Sequence, residues 1–136
     1  MKEKKMSADW YVAATHYLTA GFVMPLLIGI IASAVIMLLP VLEVISMPLS
    51  LVLSLLSIWF GVWYSAGYLK KTHIIKDPNK IIKLSTIYLV VIQFLYCIYL
   101  ALAQDIVLAG IQLVSLVIMA LIFYFASKKY IVETIN

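Results

Sequence analysis

The sequence predicts an all-α integral membrane protein, a single domain of four transmembrane helices that run antiparallel in an up-down-up-down bundle. Composition is the first observation behind this prediction. The 136 residues are 65% hydrophobic and 12% charged, with a mean hydropathy of +1.11, whereas soluble domains are about 25% charged. The second observation is that four uncharged segments are each long enough for the roughly 20 residues of a span. The third is that every lysine falls on one side of a four-span arrangement.

The first span is expected at about residues 15–39. Ser7 is the predicted N-cap, so that the helix would begin near Ala8, before it enters lipid. Pro25 is expected to kink this helix. The apolar run continues through residues 35–39 and is longer than the apolar core of a signal peptide, so we expect an uncleaved helix.

The second span is expected at about residues 48–69. Pro40, Glu43 and Pro48 interrupt the apolar sequence before it, and a lysine-rich cytoplasmic loop at residues 70–83 follows it. These residue types break helices or leave the membrane, so they delimit the span.

The third and fourth spans are expected at about residues 84–103 and 106–127. Asp77 followed by Pro78 predicts an N-cap and a first helical position, so the third helix should begin ahead of the membrane. Only Gln104-Asp105 separates the two spans, which predicts a tight antiparallel hairpin.

The lysines predict the orientation. They precede the first span, occupy the loop between the second and third, and follow the fourth, and all ten basic residues are lysine. Lysine bias in short loops sets membrane orientation, so both termini are predicted to be cytoplasmic. The expected location is the plasma (inner) membrane of a prokaryote. Loop lysines are expected to contact anionic lipid headgroups, namely Lys70, Lys71, Lys76, Lys80 and Lys83.

Small residues recur at helical spacing on the first two spans. In lipid, helices associate through close backbone approach and interhelical hydrogen bonds, and small residues permit both. The pattern therefore predicts that the two rows pack together. A seam between copies of the chain and a polar pathway remain open as alternatives. The predicted helix-packing stripe comprises Ser46, Ser50, Ser54, Ser57, Gly61 and Ser65 on the second span, with Gly21, Gly29 and Ser33 on the first.

Polar side chains also occur deep in the third and fourth spans. Folding the hairpin about its short turn brings Gln112 level with Cys97, and Gln93, one helical turn from Cys97, near Ser115. Polar groups at such depth turn inward and pair, which predicts an interhelical clasp of Gln93 with Ser115 or Gln112. A ligand-binding amide pair in a cavity is the alternative.

Few residues suggest reaction chemistry. The single cysteine excludes an internal disulfide, and no carboxylate lies inside a predicted span to couple transport to protons. His16, His73 and Asp77 are weak candidates for a metal or haem site, but we expect an interfacial His16 and a solvated His73, and no cofactor. Without arginine, the basic loop is not expected to bind nucleic acid.

These observations predict a non-enzymatic structural or interaction subunit, an assembly factor or immunity-type protein, that docks against other membrane helices. Trp59, near the middle of the second span, would be a contact for such a partner. The alternative is a small oligomeric transporter or channel for a neutral or lipophilic solute. That alternative requires one hydrated cavity lined by Ser50, Ser54, Ser57, Gln93 and Gln112.

Overall fold

The computed structural model describes residues 6–39, 45–103 and 105–132, and within these ranges the regular elements are all helical. Four stretches are long and apolar enough to cross a membrane, as expected of an integral membrane protein. The predicted break residues Pro40, Glu43 and Gln104 lie outside the described ranges. The elements are α1 (Asp9–Tyr17), a first π-helical turn (Leu18–Val23), α2 (Met24–Leu38), α3 (Ser46–Thr72), α4 (Pro78–Leu102), α5 (Ile106–Ser127) and a second π-helical turn (Lys128–Val132).

Aspartates cap two of the helices. The Asp77 carboxylate accepts a hydrogen bond from the Lys80 amide at 3.1 Å, and Pro78 occupies the first helical position. This confirms the predicted start of α4 ahead of its apolar segment. Asp105 accepts from the Leu108 amide at 3.1 Å and caps α5 in the same way. A carboxylate at this position satisfies one of the amides that the first turn leaves without a helical acceptor.

The predicted cap of α1 is wrong by one residue. Ala8, not Ser7, is the N-cap, and it forms no side-chain hydrogen bond. The Ala8 carbonyl already accepts from the amides of Tyr11 and Val12, so Ser7 lies outside the first turn, beyond the position from which a hydroxyl caps a helix.

Pro25 lies in the first turn of α2, two residues after the end of the first π-helical turn. Its ring lacks an amide hydrogen and crowds the carbonyl of the residue four positions earlier, which here is Gly21. The first π-helical turn relieves this conflict because π-helical hydrogen bonds skip one more residue than α-helical ones. α1, this turn and α2 consequently form one continuous span, Asp9–Leu38.

The core lies where all four spans meet. Tyr17 of α1, Ile58 of α3, Leu89 of α4 and Phe123 of α5 belong to one buried apolar cluster. α4 packs against α1 and α5, while α3 packs against α2, the first π-helical turn and α5. Phe123 is fully buried within this cluster.

Two polar contacts join helix ends. Lys80 Nζ lies 2.9 Å from Asp9 Oδ2, linking the starts of α4 and α1. Lys70, near the end of α3, donates to the carbonyl of Tyr130 in the second π-helical turn. We refer to this region as the lysine end, formed by the start of α1, the end of α3, the start of α4 and the second π-helical turn. The open end is formed by α2 and the segment of α3 that faces it, around Ser54.

Candidate functional site

His16 forms the most buried polar centre of the described chain. Its side chain is fully buried, its Nδ1 lies 2.8 Å from the Ser65 hydroxyl and its Nε2 lies 2.9 Å from the Ser127 hydroxyl. Both serines are themselves completely buried. Since His16 belongs to α1, Ser65 to α3 and Ser127 to α5, this cluster ties three helices together. We call these three residues the His16 cluster.

The hydrogen bonding suits a neutral imidazole. One ring nitrogen of a neutral histidine donates and the other accepts, and a serine hydroxyl can do either. The Phe123 ring, with its centroid 5.2 Å from that of His16, closes the apolar side of the cluster. A serine–histidine contact also occurs in nucleophilic catalysis, but there a third group orients the base and the substrate reaches the hydroxyl. Here both hydroxyls are buried and hold both nitrogens, so the cluster acts as an interhelical tie.

The three weak metal candidates do not form a common site. His16 is buried in the bundle rather than interfacial, and His73 is buried rather than solvated, with Nδ1 2.7 Å from the Thr72 hydroxyl. Asp77 caps α4. Among the described residues no group of three or more His, Cys, Asp or Glu side chains is placed to hold a metal ion.

The small-residue stripe is closely packed near the His16 cluster. A Cβ added to Gly61 would lie 2.7 Å from the Ala20 carbonyl oxygen, so only glycine fits where α3 crosses the first π-helical turn. A Cβ on Gly21 would meet the Tyr17 ring at 3.1 Å. Ser57 is buried and donates to the Ser54 carbonyl at 2.7 Å, which satisfies its hydroxyl within α3.

The same stripe is open at the other end. A Cβ added to Gly29 would meet nothing within 4 Å, and the side chains of Ser33 and Ser54 are exposed. A groove of about 150 Å³ lies along the contact between α2 and α3 here, and none of its lining residues is charged. Ser46 and Ser50 belong to α3, but their side chains lie outside the described part. The lining residues are Pro25, Ile28, Gly29, Ala32, Ser33, Ile36, Leu53, Ser54 and Ser57.

The two glutamines meet across α4 and α5. Gln112 Nε2 donates to Gln93 Oε1 at 3.0 Å, and both side chains are half-buried. Ser115, the other partner considered for Gln93, is half-buried on α5. Cys97 is a buried free thiol on α4. The pair is therefore an interhelical amide contact at the side of the bundle, away from the α2–α3 groove.

Trp59 contacts this chain's own C-terminal segment. Its Nε1 donates to the Tyr130 hydroxyl at 3.1 Å, and Lys129 Nζ lies 5.7 Å from the centroids of both the Trp59 and Tyr130 rings. An ammonium at that distance is attracted by the ring faces. The indole nitrogen is thereby satisfied internally, although the side chain keeps 38% of its exposure.

The lysines predicted to contact headgroups divide into two groups. Lys70 bonds to the Tyr130 carbonyl and Lys80 pairs with Asp9. Lys71, Lys76 and Lys83 are exposed at the same end of the bundle.

The sequence singled out Ser65 and His16 separately but did not bring them together, and it did not single out Ser127 at all. The sequence offers little indication of the role of Ser127, because a serine at the last position of an apolar helix can be solvated or buried. Comparison with protein-family models, with curated proteins and with solved structures finds no match to this chain. Its function must therefore be inferred from the geometry described above.

Proposed function

We propose that this protein is a non-enzymatic interaction subunit, an assembly factor or immunity-type protein, whose open end docks against a transmembrane helix of another membrane protein. The observation that carries the proposal is that α2 contains no buried residue, although it presents Gly29, Ala32 and Ser33 to a groove beside α3. Small residues in membrane helices are enriched where another helix approaches closely. The uncharged lining suits an apolar helix.

The polar interior supports the same proposal. Among the described residues, every buried side-chain nitrogen and oxygen has a hydrogen-bond partner. The His16 cluster and the Gln93–Gln112 pair use their polar groups on one another, and Ser57 uses its hydroxyl on its own helix. Polar groups that bind a solute or activate a substrate have to face it, whereas these face each other.

The proposal includes an antiparallel up-down-up-down bundle with both termini in the cytoplasm, in the plasma (inner) membrane of a prokaryote. The antiparallel arrangement is supported by two contacts at the lysine end. Asp9–Lys80 joins the starts of α1 and α4, and Lys70–Tyr130 joins the end of α3 to the turn that follows α5. The exposed Lys71, Lys76 and Lys83 would then face the anionic headgroups of the cytoplasmic leaflet.

Photo-crosslinking tests the docking surface. A photo-reactive amino acid placed at Ile36, which lines the groove, should give one discrete adduct in native membranes. The matched control is Leu121, an exposed side chain on α5, which should give none. An adduct of twice the 15.3 kDa chain mass would identify the docked helix as that of a second copy of this chain and would overturn the proposal of a different protein as partner. Equal adducts at both positions would contradict a docking role for the open end.

A solute pathway is the competing function, and the exposed Ser33 and Ser54 in the groove favour it. Thiol accessibility separates the two. In a Cys97→Ala background, Ser54→Cys and Gln93→Cys should both resist a water-soluble maleimide in intact membranes, while Asn79→Cys, exposed near the start of α4, should react after the membrane is opened. Rapid labelling at both test positions would overturn the docking proposal in favour of a hydrated pathway.

A further inference from the structure

A second concave surface lies on the face of α4 that meets α5. It has a volume of about 350 Å³ and is lined by Lys83, Thr86, Ile87, Val90 and Val91 of α4, with Tyr124 of α5. The α4 residues recur at three- and four-residue steps, so they form one strip along the helix. Lys83 contributes the charge at one extremity of the strip and the remainder is almost wholly apolar. We call this surface the Lys83 groove.

The polar groups of the groove lie at the lysine end. Lys83 is exposed and occupies the second turn of α4. Lys128 is also exposed and follows Tyr124 by four residues, about one turn. The Thr86 hydroxyl donates to the Ile82 carbonyl at 2.8 Å, and Lys83 is the lining residue that offers a cation to an anionic group at this extremity.

The apolar part runs away from the lysine end. Ile87, Val90 and Val91 are 38–53% exposed. The nine residues from Lys83 to Val91 span about 12 Å of helix axis, which is less than half of the roughly 30 Å hydrocarbon core. A single cation above an apolar strip of this length is complementary to one phosphate above one acyl chain. An apolar partner helix on this strip would supply no counter-charge for Lys83, whereas a phosphate does.

We propose that the Lys83 groove binds an anionic phospholipid, with the phosphate beside Lys83 and one acyl chain along Ile87, Val90 and Val91. Tyr124 forms the α5 wall of the site, at the depth where tyrosine is favoured near headgroups. This site is separate from the docking groove, which lies between α2 and α3. The lipid site rests on one part of the proposed function, namely that the lysine end lies among lipid headgroups.

Native mass spectrometry of the purified full chain tests the site. The protein in detergent is mixed with equal amounts of phosphatidylglycerol and phosphatidylcholine that carry identical acyl chains. We expect a phosphatidylglycerol adduct in excess, and about a fivefold loss of it in Lys83→Gln, because one lysine beside anionic lipid contributes about 1 kcal/mol. Lys71→Gln, which removes an exposed lysine of α3, should retain the adduct.

The acyl part has its own test. Val90→Trp fills the strip and should reduce adduct formation with both lipids, while glycerol phosphate without acyl chains should give no adduct. If Lys83→Gln and Lys71→Gln lose the phosphatidylglycerol adduct equally, the preference reflects general surface charge and the proposed site is wrong. Equal binding of the two lipids by the unaltered chain would also overturn it. All three altered residues are exposed, so the variants should fold. The photo-crosslink at Ile36 reports independently on the docking proposal.

Discussion

The lysine end and the open end differ in how much of their helix surface the rest of the chain buries. Near the lysine end, α1 buries Val12, Ala13, His16 and Tyr17 within nine residues. At the open end, α2 buries none of its fifteen. Both segments belong to one continuous span, but α1 carries Asp9 and His16, whereas α2 has no charged residue and is almost wholly apolar.

Specific contacts account for the difference. The His16 cluster links α1 to α3 and α5 through two hydrogen bonds, and Gly61 lets α3 approach the first π-helical turn. Beyond that turn, the small residues of α2 face a groove. In lipid, where apolar burial contributes little to helix association, such local contacts decide which segments pack. A stripe of small residues therefore marks a surface that can pack, and the contacts decide whether the same chain packs against it.

Leucine substitution of two glycines, one at each end, should give the largest difference in the free energy of unfolding. Gly61→Leu should lower the free energy of unfolding by about 3 kcal/mol or more, because its Cβ meets backbone atoms that cannot rotate away. Gly29→Leu should change it by less than about 0.5 kcal/mol, because the position is open. Reversible unfolding in mixed micelles measures both. Equal losses in the two variants would mean that α2 packs as closely as α1.

Removal of the His16 side chain should have the next largest effect. His16→Leu leaves two buried serine hydroxyls without their partner and should lower the free energy of unfolding by about 2–3 kcal/mol. Ser65→Ala or Ser127→Ala removes one bond each and should cost about 1 kcal/mol. Micelle unfolding of the three variants measures this order. A His16→Leu variant as stable as the unaltered chain would exclude the cluster as the tie at this end.

The amide pair at the side of the bundle should matter least. Gln93→Leu should lower the free energy of unfolding by about 1 kcal/mol, since it leaves Gln112 half-buried and unpaired. Leucine at both positions removes the unpaired group and should restore most of that loss. A double-mutant cycle measures the coupling between the two residues. If the two losses simply add, the hydrogen bond contributes nothing to stability.

Much of the fold could be predicted from local sequence. The four uncharged runs correspond to four helical stretches long enough to span a membrane. Asp77-Pro78 predicted the start of α4 because capping depends on residues within one turn. The first π-helical turn could not be predicted in the same way. Pro25 indicates a disturbed helix, but whether it bends, breaks or widens depends on its neighbours, here the close approach of Gly61.

The candidate sites were less predictable. Glycines and serines at helical spacing were visible, but Gly29 and Gly61 are the same residue type on similar stripes and differ only in tertiary surroundings. The burial of His16 depends on Ser65 and Ser127, which lie 49 and 111 positions along the chain. No local pattern encodes that meeting. The proposed docking and lipid-binding roles depend on surfaces that span two helices, so they could be argued only once the helices were in place.

The central claim is that the open end receives another protein's helix, and a crosslink from Ile36 measured in two glycine backgrounds tests it most directly. Gly29→Leu fills the groove, while Gly67→Leu adds the same side chain to α3 at a position that is equally open but does not line the groove. We predict that Gly29→Leu abolishes the adduct at unchanged stability and that Gly67→Leu retains it. An adduct that survives in both backgrounds would contradict docking in the groove.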